Sequence, residues 1–258
     1  MASKYLLVVA LAAVAFVRAS PTQLQQPLST GDVSTGGGTG GAKDLIYELK
    51  KAEIIPTVLD SFDPKLALSV SWENATAHVG NTVAPSETQK EPVVRFVAPA
   101  AAMPEDGDES EVLFVKKGMQ LTIALTDPDA PSRDDPEWSE ICHWIATGVP
   151  LTEPTYDDDI VLSSGAISPN AAGASSKDLK TIMGYKPPGP PPETGKHRYV
   201  FVALAPKNGT TERLELSKPE GRQHWGYGKE RQGLRGWAGE NGLVVIGANF
   251  IYEQNEEQ

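Results

Sequence analysis

Six apolar, β-branched stretches dominate the chain, each set apart from the next by long connections rich in proline and glycine. They are LALSVSW (66–72), VVRFVAP (93–99), LTIAL (121–125), CHWIATGV (142–149), RYVFVALA (198–205) and LVVIGANFIYE (243–253). Alternation of side chains at period two is what a strand requires, because successive residues face opposite sides of a sheet. Regular helix-and-return units do not separate these stretches, which argues against a parallel sheet. The expectation is a mainly β chain, an antiparallel β-sandwich with a few peripheral helices. One helix is expected where Leu45, Ile46, Leu49 and Ala52 recur at helical spacing, limited by Pro56. Another falls in KERQGLRGWAGENG (229–242), stopped by Asn241-Gly242.

The N-terminal residues divide into two segments. Residues 1–19, MASKYLLVVALAAVAFVRA, carry an early lysine, an apolar core over 5–17 and a small-residue cleavage site. That is the layout of a secretory signal peptide, with a core too short for a membrane span. Residues 20–42 are rich in Ser, Thr, Gln, Pro and Gly and read as a flexible arm, leaving 43–258 as the folded domain. PEDGDESE (104–111) and the acidic run at 157–159 read as solvated loops. Loss of Lys4 and Arg18 with the leader takes the formal charge from −11 to −13. So acidic a surface repels nucleic acid and anionic membranes as bulk partners. No later segment is apolar for long enough to span a bilayer, so no transmembrane segment is expected. A single cysteine, Cys142, forms no internal disulfide, and about 215 residues must hold together through their own core. Asn74-Ala75-Thr76 and Asn208-Gly209-Thr210 are glycosylation sequons that fit a secretory route, ending outside the cell, in a vacuole or in the wall.

Candidate chemistry concentrates around TDPDAPSR (126–133). Of four histidines, His143 begins the strand after that loop, and His197 precedes RYVFVALA after the turn-rich GPPPETGK (189–196). If the two strands share a sheet, both imidazoles can meet Asp127 at one rim. Three chemistries compete. A two-histidine, one-carboxylate metal site has the right residue types, but HExxH and His-x-His spacings are missing. A Ser132 nucleophile lacks GxSxG and would sit in a turn between Pro131 and Arg133. An anion pocket would use imidazole N–H groups, backbone donors opened by Gly189, and an aspartate that accepts from an amine. A zwitterionic head group matches that last mixture, while the residues alone leave all three readings open.

Two motifs narrow the choice. DPDAPSR (127–133) with its His-led apolar strand, and GPPPETGKHRY (189–199), resemble the phosphatidylethanolamine-binding proteins. The second keeps that family's GPPxxTGxHRY spacing. AEIIPTVLDSFDP (52–64), HWGYG (224–228) and GANFIYEQ (247–254) are similar to its carboxypeptidase Y inhibitor-like fungal branch. The resemblance covers roughly residues 43–253. It implies a sandwich of a large and a small antiparallel sheet, with a small pocket at one end for phosphate and phosphoethanolamine-like anions. Carried over residue by residue, that pocket uses Asp127, Pro131, His143, Gly189, Pro190, His197 and Tyr199. Trp138 stands where the family often has an aromatic wall. The histidines would donate to phosphate oxygens, and Asp127 would orient an imidazole or receive the amine. Where the family often reads Trp-His-His, this chain has Ile141-Cys142-His143, which changes the packing around a ligand. Cys142 is read there as a small buried apolar side chain. The chain also stops soon after its last strand, without the C-terminal helix that gates the pocket in animal members, so a more open site is expected.

Structural roles are expected for several of the same residues. Asp129 and Arg133 are read as pairing across the turn and bracing the loop. Pro131, Pro190 and Pro191 stiffen loops. Tyr199 fits a core position with a bonded hydroxyl, and Trp225 and Trp237 fit the core. His78 and His224 are read as loop residues without a role. The function expected is a secreted, monomeric binding protein that takes a phosphate-bearing small molecule or phospholipid head group. No catalysis, cofactor or metal is expected. The alternative is an inhibitor of a serine carboxypeptidase acting through protein–protein contact. Inhibitors of that branch engage the protease partly with their N-terminal segment, which a signal peptide and a glycine-rich arm would alter here.

Overall fold

The structure, a computed structural model, describes residues 40–97, 115, 119–149, 151–152 and 179–257. The expected signal peptide, most of the arm, and the acidic loops at 104–111 and 157–159 lie outside the described residues. Among them, nine strands form two sheets. The small sheet has the order β1-β3-β6, built from Ala67–Ser71, Val93–Val97 and Leu151–Thr152. The large sheet has the order β2-β9-β8-β4-β5-β7. Its strands are Asn81–Thr82 (β2), Leu121–Asp127 (β4), Ile141–Val149 (β5), Lys180–Met183 (β7), Lys196–Pro206 (β8) and Leu243–Gln254 (β9). All six expected strands form. Pairing is antiparallel except at two short edge pairs, β2 with β9 and β3 with β6, which run parallel.

Side-chain alternation explains the layering. Along β8, Tyr199, Phe201 and Ala203 enter the core between the two sheets, while Val200, Val202 and Leu204 enter a second core on the other face. In β4, Leu121, Ile123 and Leu125 face the first core and Ala124 the second. LTIAL is therefore covered on both faces, and its small residue marks the face against the helices rather than one against water. The second core is closed by α1 (Gly40–Lys51), by a short turn over Ile54–Thr57 (α2) and by α3 (Gly233–Glu240). Helix α1 starts at Gly40, so residues 40–42 belong to the helix and not to the arm. It ends on Lys50 and Lys51, whose charges suit a helix C-terminus. Glu53 then turns left-handed at φ 55°, and Pro56 sits inside the following turn instead of at the helix end. Helix α3 stops as expected: Asn241 N–H reaches Trp237 O at 3.1 Å, and Gly242 adopts φ +62°. Trp225 and Trp237 are buried beside each other, ring centroids 5.6 Å apart, in this second core.

One polar side chain ties the two sheets. Asn249 Nδ2 donates to Leu68 O (2.9 Å) and Ala77 O (3.1 Å), and its Oδ1 accepts the N–H groups of Val79 and Phe250. Every hydrogen-bonding group of this buried amide is used, as burial demands. Among the described residues, no helix is long and apolar enough to cross a membrane. The sheet order sets β8, β4 and β5 side by side, so Lys196, Asp127 and Ile141 end these strands at one edge.

Candidate functional site

Asp127, His143, His197 and Tyr199 meet at that edge, each at most 4% exposed. His197 Nδ1 lies 2.9 Å from Asp127 Oδ2, and the other oxygen, Oδ1, accepts the N–H of Asp129 at 2.8 Å. His197 Nε2 lies 3.0 Å from the hydroxyl of Thr194, which itself reaches Pro191 O at 2.8 Å. A hydroxyl has one proton, and carbonyl and carboxylate oxygens only accept. All three contacts are satisfied together when Nε2 donates to the Thr194 oxygen and one proton lies between Nδ1 and Asp127 Oδ2, so the His197–Asp127 pair as a whole is neutral. His143 differs. Its Nδ1 donates to Lys186 O at 2.8 Å, and Lys186 N–H returns a bond to His143 O at 2.8 Å. Burial lowers its pKa to about 4, against the pull of Asp127. His143 is neutral at physiological pH, and its Nε2 carries a lone pair rather than a proton.

Tyr199 joins the two imidazoles. Its ring meets His143 edge-on at 5.3 Å and stacks on His197 at 6.3 Å. Burial, with Asp127 adding to it, pushes the phenol pKa upward and keeps the hydroxyl protonated. That hydroxyl accepts the Gly189 N–H at 3.2 Å, so the backbone donor expected there is occupied by the protein itself.

Sequence reasoning missed Glu253. It stands opposite His197 in the β8–β9 register and is fully buried. Across the sheet the order reads Glu253, His197, Asp127, His143, alternating acid and base on four adjacent strands. Burial raises the Glu253 carboxyl to about 8, with Asp127 contributing. The available signal was the inward phase of β9, where Asn249, Ile251 and Glu253 fall on alternate, buried positions.

The remaining candidates lie around this row. Gly189 is exposed, Pro190 buried and Pro131 half-buried. Trp138 is 41% exposed, with its backbone N–H on Ala130 O at 3.0 Å. Among the described residues, the ring contacts of the site run through His143, Tyr199 and His197 and do not include Trp138. Asp129 and Arg133 do not pair across the turn as expected. Asp129 holds the buried Arg198, and Arg133 reaches outward to Glu53 at 2.7 Å. The loop's own backbone is braced by Asp127 instead. Ser132 Oγ accepts the Asp135 N–H at 3.1 Å, a turn-capping role. Among the described residues, no group of three His, Cys, Asp or Glu side chains is placed to hold a metal. Cys142 is buried as expected, its thiol raised to about 12 by burial. The neighbouring guanidinium of Arg222 is spent on the carbonyls of Cys142, His143 and Gly184. His224 is tied down, its Nε2 donating to Glu137 O at 2.6 Å. His78 and both sequon asparagines, Asn74 and Asn208, are exposed.

The model of the phosphatidylethanolamine-binding protein family matches residues 73–251. A carboxypeptidase Y inhibitor of Saccharomyces cerevisiae is 31% identical over 219 residues, 83% of this chain and 97% of its own length. The crystal structure of a carboxypeptidase Y inhibitor complexed with its cognate proteinase superposes with a TM-score of 0.64 at 28% identity, covering 83% of this chain and 97% of the inhibitor. A phosphatidylethanolamine-binding protein from Plasmodium vivax shares the fold, with a TM-score of 0.53 at 18% identity over 82% of this chain and 97% of its own. The chain belongs to the phosphatidylethanolamine-binding protein family, on its carboxypeptidase Y inhibitor-like branch.

Proposed function

We propose that this is a secreted, non-enzymatic binding protein whose pocket takes a phosphate-bearing small ligand of the phosphoethanolamine type. The observation that carries the reading is the convergence of His197, Asp127, His143 and Tyr199, all buried, at one edge of the large sheet. An entering phosphate would replace Thr194 at His197 Nε2 and Tyr199 at the Gly189 N–H. It would then gain two donors, the imidazole N–H of His197 and the backbone N–H of Gly189. A singly protonated phosphate, or the ammonium of a head group, would donate to the free lone pair of His143. The His197–Asp127 pair sums to zero charge, which suits a zwitterion better than a polyanion. Titration with phosphoethanolamine, followed by NMR of the imidazole nitrogens, should shift His143 and His197, and His143→Ala should abolish the response. An unresponsive pair of histidines would sink the pocket reading.

A second reading rests on likeness to carboxypeptidase Y inhibitors over most of the chain. Here the protein blocks a serine carboxypeptidase through surface contact, independently of the pocket. The chain with residues 20–42 intact should then slow such an enzyme at stoichiometric concentration. Full activity in that mixture removes the inhibitor reading.

A further inference from the structure

Glu253 is a carboxyl group in an unusual position. It lies on the inner face of β9, opposite His197, with Cβ atoms of such cross-strand neighbours ~5 Å apart. It is fully buried, and among the described residues neither of its oxygens makes a hydrogen bond of normal geometry. An ionised carboxylate without partners is far more costly to bury than a neutral acid. The groups facing it come from four directions. His197 and Tyr199 approach from β8 and Asp127 from β4. Tyr185 approaches from the segment after β7, with Glu91 beyond it. The Thr88 hydroxyl lies alongside and donates to Pro85 O at 3.1 Å. His197 is the one basic side chain in that set, and Asp127 already holds it. Lys196 sends its ammonium to the Thr82 hydroxyl at the surface, and Arg198 serves Asp129.

We propose that anion binding in this pocket is coupled to a proton on Glu253: the neutral acid admits an anion beside His197, and the ionised acid excludes it. The inference rests on the pocket reading above. While Glu253 is neutral, an incoming anion meets a row whose fixed charges cancel. Once Glu253 ionises, the row carries one net negative charge in a site shielded from water, and the new carboxylate competes for the same imidazole N–H groups. Burial places this change near pH 8.

Sulfate is the probe, because its charge stays constant where Glu253 titrates. Calorimetry of the full chain at fixed ionic strength should find sulfate affinity constant between about pH 6 and 8, then falling toward tenfold per pH unit above it, the limit for one linked proton. Glu253→Gln should bind sulfate with no such fall. A flat wild-type profile, or an equal fall in the variant, overturns the coupling. The 13C shift of the Glu253 carboxyl in the free chain gives a second measure that needs no variant. Its titration midpoint should lie near 8 and rise when sulfate is added. A midpoint below about 6, close to an ordinary glutamate, ends the proposal whatever the pocket binds. A midpoint near 8 with no sulfate bound at any pH, and both histidines unresponsive, overturns the pocket reading and the coupling with it.

Discussion

Replacing Asp129 by alanine tests how the two acids of DPDAPSR divide their work. Asp129 and Arg198 are both almost fully buried. Asp129 Oδ2 accepts the backbone N–H and the Nε–H of Arg198, both at 2.8 Å, while Oδ1 takes Nη2. Among the described residues, only Nη1 has another acceptor, Ala52 O at 2.8 Å. The substitution thus strands a guanidinium charge and three donors in the interior. Removing one member of a buried pair costs about 3–5 kcal/mol, because the other charge stays buried and uncompensated. With a urea dependence of about 2–3 kcal/mol per molar, the unfolding midpoint should drop by roughly 1–2 M. Tryptophan fluorescence reports it well, since Trp144, Trp225 and Trp237 are all buried. Arg133→Ala is the control, because its partner Glu53 is exposed and solvent screens the pair; its midpoint should stay at the wild-type value. A loss below ~1 kcal/mol for Asp129→Ala, the range of exposed pairs, would refute the argument. An equal loss in both variants would do the same.

Three other outcomes follow from the second core and its surroundings. A Cβ on Gly233 would sit 2.2 Å from Trp225 Cδ1, so Gly233→Ala should destabilise by about 1–3 kcal/mol through overpacking, read as a lowered melting temperature. Burial raises Glu140 to about 7, against bonds from the Thr126 hydroxyl and the Leu234 N–H. Between pH 4.5 and 7 the folded chain keeps this proton while the unfolded chain releases it, so the group lowers stability as pH rises through that window. Glu140→Gln should remove up to ~1.4 kcal/mol per pH unit of that slope, measured by urea unfolding across the window; a slope equal to wild type would show that Glu140 titrates normally. Cys142 should resist a disulfide-exchange reagent at pH 8 in the native chain and react once the chain is unfolded.

Of the six long strands, LALSVSW and LTIAL were legible by alternation and the others as runs rich in apolar and β-branched residues. Strands β2, β6 and β7 span two to four residues, too few for a period to register. The cover on each face was not legible: Ala124 within LTIAL gives no hint that helices, not water, lie beyond it. At the site, Asp127, His143, His197 and Tyr199 could be read from their motifs. Their hydrogen-bond partners could not, because Lys186 O, Thr194 and the Gly189 N–H are set by loop backbone that no periodicity encodes. Glu253 escaped notice because an acid near the end of an apolar strand resembles an ordinary solvated terminus. Only the pairing of β9 with β8 places it beside His197.

The two motifs act as one physical unit because strand alternation splits each of them between faces. In HRY, His197 and Tyr199 point toward the small sheet while Arg198 points toward the helices. In the DPD segment, Asp127 meets His197 on the first side and Asp129 meets Arg198 on the second. Two buried acid–base pairs therefore join the end of β4 to the start of β8, one through each face of the sheet. A slip of β8 by a single residue would turn Arg198 toward Asp127 and send His197 to the helical face, because side-chain direction has period two. Both native pairs would break at once, and Asp129 would lose the guanidinium and backbone N–H that it now holds. The apolar residues of β8 do not forbid such a slip strongly, since Val200, Phe201, Val202, Ala203 and Leu204 are buried on both faces. The two bonded pairs do forbid it, and so they fix the register that brings His197 to Asp127 and Glu253. The Asp129–Arg198 pair on the helical face is what holds the row of Glu253, His197, Asp127 and His143 on the other.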